Sequence, residues 1–347
     1  MYQKDNMKTK MLICILFLGL FCLCSCKKEP DKPGTIIPQV WKTYNKSNGL
    51  LNNCVSDIAI DAAGEKWFAV SAYSSDGEGS GGLSHFDGTN WTTYSTSNSG
   101  LVYDHVTTVE IDHEGNKWIG YGQATIGSGV SKFDGTAWTN YTSSGSGLVS
   151  DQVTAIAIDS VGNKWFGTSH GLSKFDGTNW TSYNSSNGLG SDFIIAITVD
   201  YENNVWVGTW DGGIAKFDGT DWVVYNRSNS GINENTVTAI AVDKQGIKWF
   251  GTSTLGVSKF DDHEWTTYNT YNTGMLSNNI TDIAIDNNGV KWISTNGYGV
   301  SSFNEQYWST YSPEYGYTDY TVWCISIDND DKKWFGTNAK GAFSLKD

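Results

Sequence analysis

VTAIAIDSVGNKWFGTSHGLSKFDGTNWTSY, residues 153–183, recurs with variations along most of the chain. Its first Trp returns at Trp67, Trp118, Trp165, Trp206, Trp249, Trp292 and Trp334, and its second at Trp41, Trp91, Trp138, Trp180, Trp222, Trp265 and Trp308. Each series has seven members. Within the block, VTAIAID sets Val153, Ala155 and Ala157 against Thr154, Ile156 and Ile158, the period-2 pattern of a strand packed on both faces. Asp159 and Gly162 supply a tight turn before KWFGT. Two blocks carry Asn203 or Asp331 in place of that Gly, and both residue types tolerate a left-handed backbone. GLSKF follows, then the hairpin dipeptide Asp176-Gly177, then WTSY.

A four-stranded unit of about 42 residues cannot bury both of its faces alone, so neighbours must stack, and four strands per repeat give radial blades. The chain ends complete the count. An orphan fourth strand, 41–44, precedes the first full block, and the last block stops after its third strand, 341–345. The expected fold is therefore all-β: a seven-bladed β-propeller of four-stranded antiparallel blades, the last closed by the N-terminal strand. Such closure removes exposed sheet edges.

The pattern of Asp, turn Gly, Trp-x-Gly-Thr and Gly-Leu resembles the two-component regulator propeller repeat. That resemblance implies a propeller, and in that family such blades often form the sensor part of membrane histidine kinases. Here the chain ends at Asp347 without a kinase module, so direct signalling is not the expected role.

The N-terminal residues read as an export signal. Lys4, Lys8 and Lys10 precede an apolar run, 11–23, too short to span a bilayer. The run ends in Leu23-Cys24-Ser25-Cys26, which resembles the bacterial lipoprotein box and implies lipidation of Cys26. The organisation predicted is a signal peptide over 1–25, a lipidated Cys and flexible Pro-rich tether over 26–38, and the propeller over 39–347. Lys27 stands where an inner-membrane retention signal has Asp, and Lys28, Glu29 and Asp31 resemble surface-export signals, so the outer membrane is the expected location. Without residues 1–25, which hold three Lys and one Asp, the formal charge moves from −14 to −16. Such a surface disfavours nucleic acid and anionic headgroups. Of six Cys, Cys54 and Cys324 remain beyond the lipid box; an oxidising compartment permits a bridge, but their spacing is no disulfide framework.

In a propeller the links from outer to next inner strand share one face with the turns between strands two and three. Departures from the repeat on that face are the candidate ligand contacts. Trp210, in GTWDGG, replaces a small residue. Tyr73, Tyr121, His170 and Tyr298 are placed on the same rim, and the link into the seventh blade adds Tyr315 and Tyr320; Tyr317 occupies a Leu slot. Trp323 stands on the innermost strand where Thr107, Thr154, Thr238 and Thr281 stand elsewhere, and either narrows the channel or packs on blade 1. The segments SAYSSDGEGSGG and YGQATIGSG are insertions at this rim.

Aromatic rings with polar tips suit sugar faces, so a neutral or cationic small molecule, with a glycan favoured, is the leading expectation. A protein-interaction scaffold, or an accessory to signalling or uptake, is the second. A propeller lyase or hydrolase is the third and weakest. Its chemistry needs a metal or a His with an acidic partner, and the nearest set is His105 and His170 with Asp104 and Asp211. No catalytic residue, metal or cofactor is expected. The Asp closing each inner strand, such as Asp159 and Asp286, recurs too regularly to be a site, and turn N–H groups are its expected partners.

Overall fold

The innermost strand of each repeat pairs with KWFGT or its equivalent, and the remaining two strands follow outward in chain order. In a computed structural model, which describes residues 40–72, 80–122, 128–311 and 321–346, this gives seven four-stranded antiparallel sheets. Cys26 and the predicted signal and tether lie outside the described residues, as do Tyr73, Tyr315, Tyr317 and Tyr320. Blades 1 to 6 occupy residues 55–94, 108–141, 153–183, 194–225, 237–268 and 280–311. Blade 7 takes three strands from 322–346, and Val40–Tyr44 as its outermost. That strand pairs antiparallel with Ala342–Lys346, Trp41 opposite Leu345 and Tyr44 opposite Ala342. Inner strands of adjacent blades contact one another around the whole ring, blade 7 against blade 1 included.

The turn chemistry holds at the substituted positions. Gly162 has φ 88°, and its replacements Asn203 and Asp331 have φ 66° and 62°. A Cβ at Gly162 would meet nothing within 4 Å, so conformation alone restricts that position.

The strict alternation predicted for the inner strand needs correction. Val153 pairs with Thr168 but Ala155 pairs with Gly167, so Thr154 is the extra residue of a β-bulge. Its Oγ1 donates to Gly167 O at 3.0 Å in its own blade and to Ile194 O at 2.8 Å in the next. The bulge thus turns one side chain into a latch between blades. Thr154→Val should cost about 1 kcal/mol, read as a lowered urea midpoint; an unchanged midpoint would remove the latch from this account.

Lower on each blade, the closing Asp does more than cap its turn. Asp112 accepts from Asn116 N at 2.9 Å, from the Trp118 indole at 2.8 Å, and pairs with Lys164 of blade 3 at 3.5 Å. Burial raises its pKa, but the indole, Asn116 and Lys164 outweigh burial and hold it at about 2. All seven first-series indoles donate to such an Asp. In six blades a Lys from the next blade also lies over the same Trp, as Lys66 does 4.8 Å from the Trp334 ring centre. Blade 4 has Val205 at that position.

The apolar core is divided among the blade junctions. Trp118 of blade 2, for example, packs with Ile156 and Phe166 of blade 3. The second-series Trp stack on the outer face, Trp180 on Phe175 at 4.6 Å and Trp265 on Phe260 at 4.3 Å. Fourteen of the sixteen Trp are thereby structural, which leaves Trp210 and Trp323.

Candidate functional site

The channel mouth is bordered by two residue positions from each blade. One follows strand two: Ser71, Gly122, Ser169, Trp210, Ser253, Asn296 and Asn338. The other precedes the inner strand: Cys54, His105, Gln152, Phe193, Thr236, Asn279 and Thr321. Backbone hydrogen bonds join the pair within a blade, as from Trp210 N to Phe193 O at 3.0 Å and from Asn296 N to Asn279 O at 3.0 Å. Side chains join neighbouring blades, with Ser71 Oγ 2.8 Å from His105 Nδ1 and Thr321 Oγ1 3.4 Å from Asn296 Oδ1. The result is a belt of hydroxyl and amide groups. Burial pushes the His105 imidazole below its ordinary pKa of about 6.5, so none of these positions carries a charge at neutral pH, and the Glu234 carboxylate adjoins the belt by accepting from Ser253 Oγ at 2.7 Å.

Blade 4 breaks this polar belt. Trp210 is 58% exposed and Phe193 42% exposed, with ring centres 5.9 Å apart at 59°. Two glycines bring the loops together. A Cβ on Gly212 would lie 2.2 Å from the Gly190 carbonyl carbon, so only bare backbones fit there. At the position of Gly190 other blades have Leu51, Val102, Val149, Asn233 and Leu276. Thr236 of blade 5 fixes the outer side by donating its hydroxyl to Trp210 O. Phe193 was not among the sequence candidates. Its signal was available: an aromatic residue in a position where other blades have Cys, His, Gln, Thr or Asn.

The remaining candidates divide. Tyr298 and His170 are exposed on the turns of blades 6 and 3, and His170 Nδ1 lies 2.8 Å from Ser169 Oγ. Trp323 is 39% exposed at the mouth of blade 7. Tyr121, expected on the rim, is instead fully buried, with its hydroxyl 2.7 Å from Ser131 Oγ. It occupies the slot of Thr168, the last inward-facing residue of strand two, and a one-residue offset exchanges the two faces of a strand. Asp104 caps its own loop, accepting from Thr96 N at 2.7 Å and Thr96 Oγ1 at 3.0 Å.

Further down the inner strands, Asp57 accepts from Val109 N at 3.0 Å and Asp282 from Ile325 N at 2.7 Å, each capping the inner edge of the next blade. Burial raises all three carboxyls of Asp57, Glu110 and Asp282, the last two to about 7, and Asp57 adds like-charge repulsion to both. All three accept from main-chain N–H groups, Glu110 from Ile111 N at 3.2 Å. Cys54 and Cys324 are free thiols, both buried. Burial holds the Cys324 thiol well above its ordinary pKa, which makes it a poor nucleophile. Among the described residues, no group of three or more His, Cys, Asp or Glu could hold a metal, and no helix is long and apolar enough to cross a membrane.

Residues 188–211, which contain both Phe193 and Trp210, match the two component regulator propeller family. No curated protein matches the chain in sequence. Among solved structures, the extracellular domain of BT3049 from B. thetaiotaomicron, described as a hybrid two component system, is 22% identical over 89% of this chain and 42% of its own, with TM-score 0.73. PorZ, a surface component of the type-IX secretion system of Porphyromonas gingivalis, is 18% identical over 85% and 46%, with TM-score 0.66. The chain spans less than half the length of either. Virginiamycin B lyase from Staphylococcus aureus is 14% identical over 89% and 99%, with TM-score 0.71. These similarities establish a shared propeller fold.

Proposed function

We propose that this propeller, carrying a two-component regulator repeat in its fourth blade, is a non-catalytic binding module of the cell envelope whose channel mouth takes a neutral glycan. The observation that carries the reading is the uncharged hydroxyl and amide belt interrupted by the exposed Phe193–Trp210 pair. Sugars present hydroxyls to such a belt and flat C–H faces to such rings, and a formal charge of −14 disfavours an anionic ligand. The enzymatic alternative has little support, because the half-buried carboxyls of the inner strands are engaged by main-chain N–H groups.

Placement in the envelope rests on the export signal and the lipid box at Cys26, with an outer-membrane anchor. The description of one relative as an extracellular domain and of another as a surface component fits that placement.

A glycan array probed with purified protein tests the reading. Binding to neutral glycans should fall by about tenfold or more in Trp210→Ala, because the ring supplies the platform on which the sugar stacks. Undiminished binding in the variant, or no neutral glycan bound by the native protein, contradicts it.

A further inference from the structure

Five blades place a hydroxyl at the position of Thr154: Ser56, Thr107, Thr154, Thr238 and Thr281. Each donates to a carbonyl of the following blade, namely Val106 at 2.8 Å, Val153 at 3.1 Å, Ile194 at 2.8 Å, Ile280 at 2.7 Å and Val322 at 2.5 Å. Blades 4 and 7 depart from this rule, with Ile195 and Trp323. Between blades 7 and 1 the latch has moved. Ser326, three residues along the same strand, donates to Ile58 O of blade 1. Most other blades have Ala at that position, as at Ala59, Ala157, Ala241 and Ala284. The junction is therefore tied without position 323, which leaves that position open to another role.

Packing does not account for the Trp that fills it. The ring remains 39% exposed and belongs to none of the interblade clusters that enclose the first-series Trp. Its Nε1–H points to Asn338 Oδ1 at 3.4 Å, a belt residue, which holds the indole at the mouth. Asn338 is itself the blade 7 counterpart of Trp210. Blades 4 and 7 are three apart in a ring of seven, so the two exposed indoles stand on nearly opposite sides of the mouth. Between them the belt is polar on both sides.

We infer that Trp323 is a second aromatic platform of the same site, and that the ligand is a neutral oligosaccharide long enough to cross the mouth from Trp210 to Trp323. The inference rests on the glycan reading above. A single sugar unit stacks on one indole, whereas a chain engages both and gains affinity with length.

The test is calorimetric titration of the native protein with α-1,4 and β-1,4 glucose oligomers, from monosaccharide to hexamer, repeated on Trp323→Thr. Thr is the residue the ring itself uses at this position, so the variant retains a side chain that fits the bulge, and a circular-dichroism melt confirms folding. Affinity in one series should rise by about tenfold or more at the length that reaches the second indole. Trp323→Thr should abolish that step, while shorter oligomers still bind at Trp210. A step that persists in Trp323→Thr, or short and long oligomers that bind equally, overturns the inference while the glycan reading stands. If no oligomer of either series binds the native protein, the inference is overturned, and the glycan array decides separately whether the glycan reading falls with it.

Discussion

Asp286→Ala should destabilise the propeller by about 3 kcal/mol, whereas Lys333→Val, which removes the other half of the same ion pair, should cost only about 1 kcal/mol. The asymmetry follows from what each deletion leaves behind. Asp286, 3% exposed, accepts from the Trp292 indole at 3.0 Å, from Asn288 N at 3.0 Å and from Val290 N at 2.9 Å, and lies 3.3 Å from Lys333 Nζ. Its loss strands an indole and two turn amides, and it removes the closer of the two carboxylates beside a fully buried ammonium. Loss of Lys333 leaves Asp286 with its three other donors. The ring contains the natural precedent: Asp159, 2% exposed, stands opposite Val205 and keeps the Trp165 indole at 3.1 Å and Asn163 N at 2.8 Å. Urea denaturation of both variants checks the ranking. Equal losses, or a larger loss for Lys333→Val, would make the cation rather than the carboxylate the centre of the staple.

The second large effect is on pH dependence. Burial holds Glu110 and Asp282 at about 7 in the folded ring. In the unfolded chain these carboxyls ionise near pH 4. Between those values the unfolded state loses protons that the folded state keeps, so stability falls as pH rises from about 4 to about 7 and stays low above. Asp112 and Asp328, whose carboxyls are lowered, act in the opposite sense and withdraw support only at acid pH, below about 4. Stability should therefore be greatest near pH 4 and lower by about 2 to 4 kcal/mol at pH 8, a range reduced because these side chains are only partly covered. Asp282→Asn keeps an oxygen for Ile325 N and cannot ionise. It should raise stability at pH 8 by about 2 kcal/mol while changing little at pH 4. Melts at the two pH values decide the matter; a native protein more stable at pH 8, or no gain from Asp282→Asn, would show that these carboxyls ionise freely.

The repeat made the architecture legible because each strand and turn is specified seven times over. Asn203 and Asp331 identify the left-handed turn better than Gly does, since they are the residues that can replace it. The orphan strand at 41–44 and the truncated last block needed only to be matched. What a single block does not contain is contact between blades. The bulge at Thr154 looks like ordinary alternation until its hydroxyl is seen on Ile194 O, and nothing within one block places the Lys of KWFGT over the Trp of the preceding blade. Tyr121 was misplaced for a related reason, because one residue of register separates the rim from the interior. Phe193 was missed although its column of Cys, His, Gln, Thr and Asn marks it as the exception. Comparing blades column by column, rather than looking for aromatic residues in loops, would have found it together with Gly190.

The most direct test of the mouth as a ligand site uses the indole N–H signals of the sixteen Trp, recorded by ¹⁵N NMR during titration with the glucose hexamers. Fourteen of these indoles are held in the blade interiors or stacked on their outer faces and should stay in place. The signals of Trp210 and Trp323 should move together and saturate together. Shifts confined to the fourteen, or none at any concentration, would contradict the account.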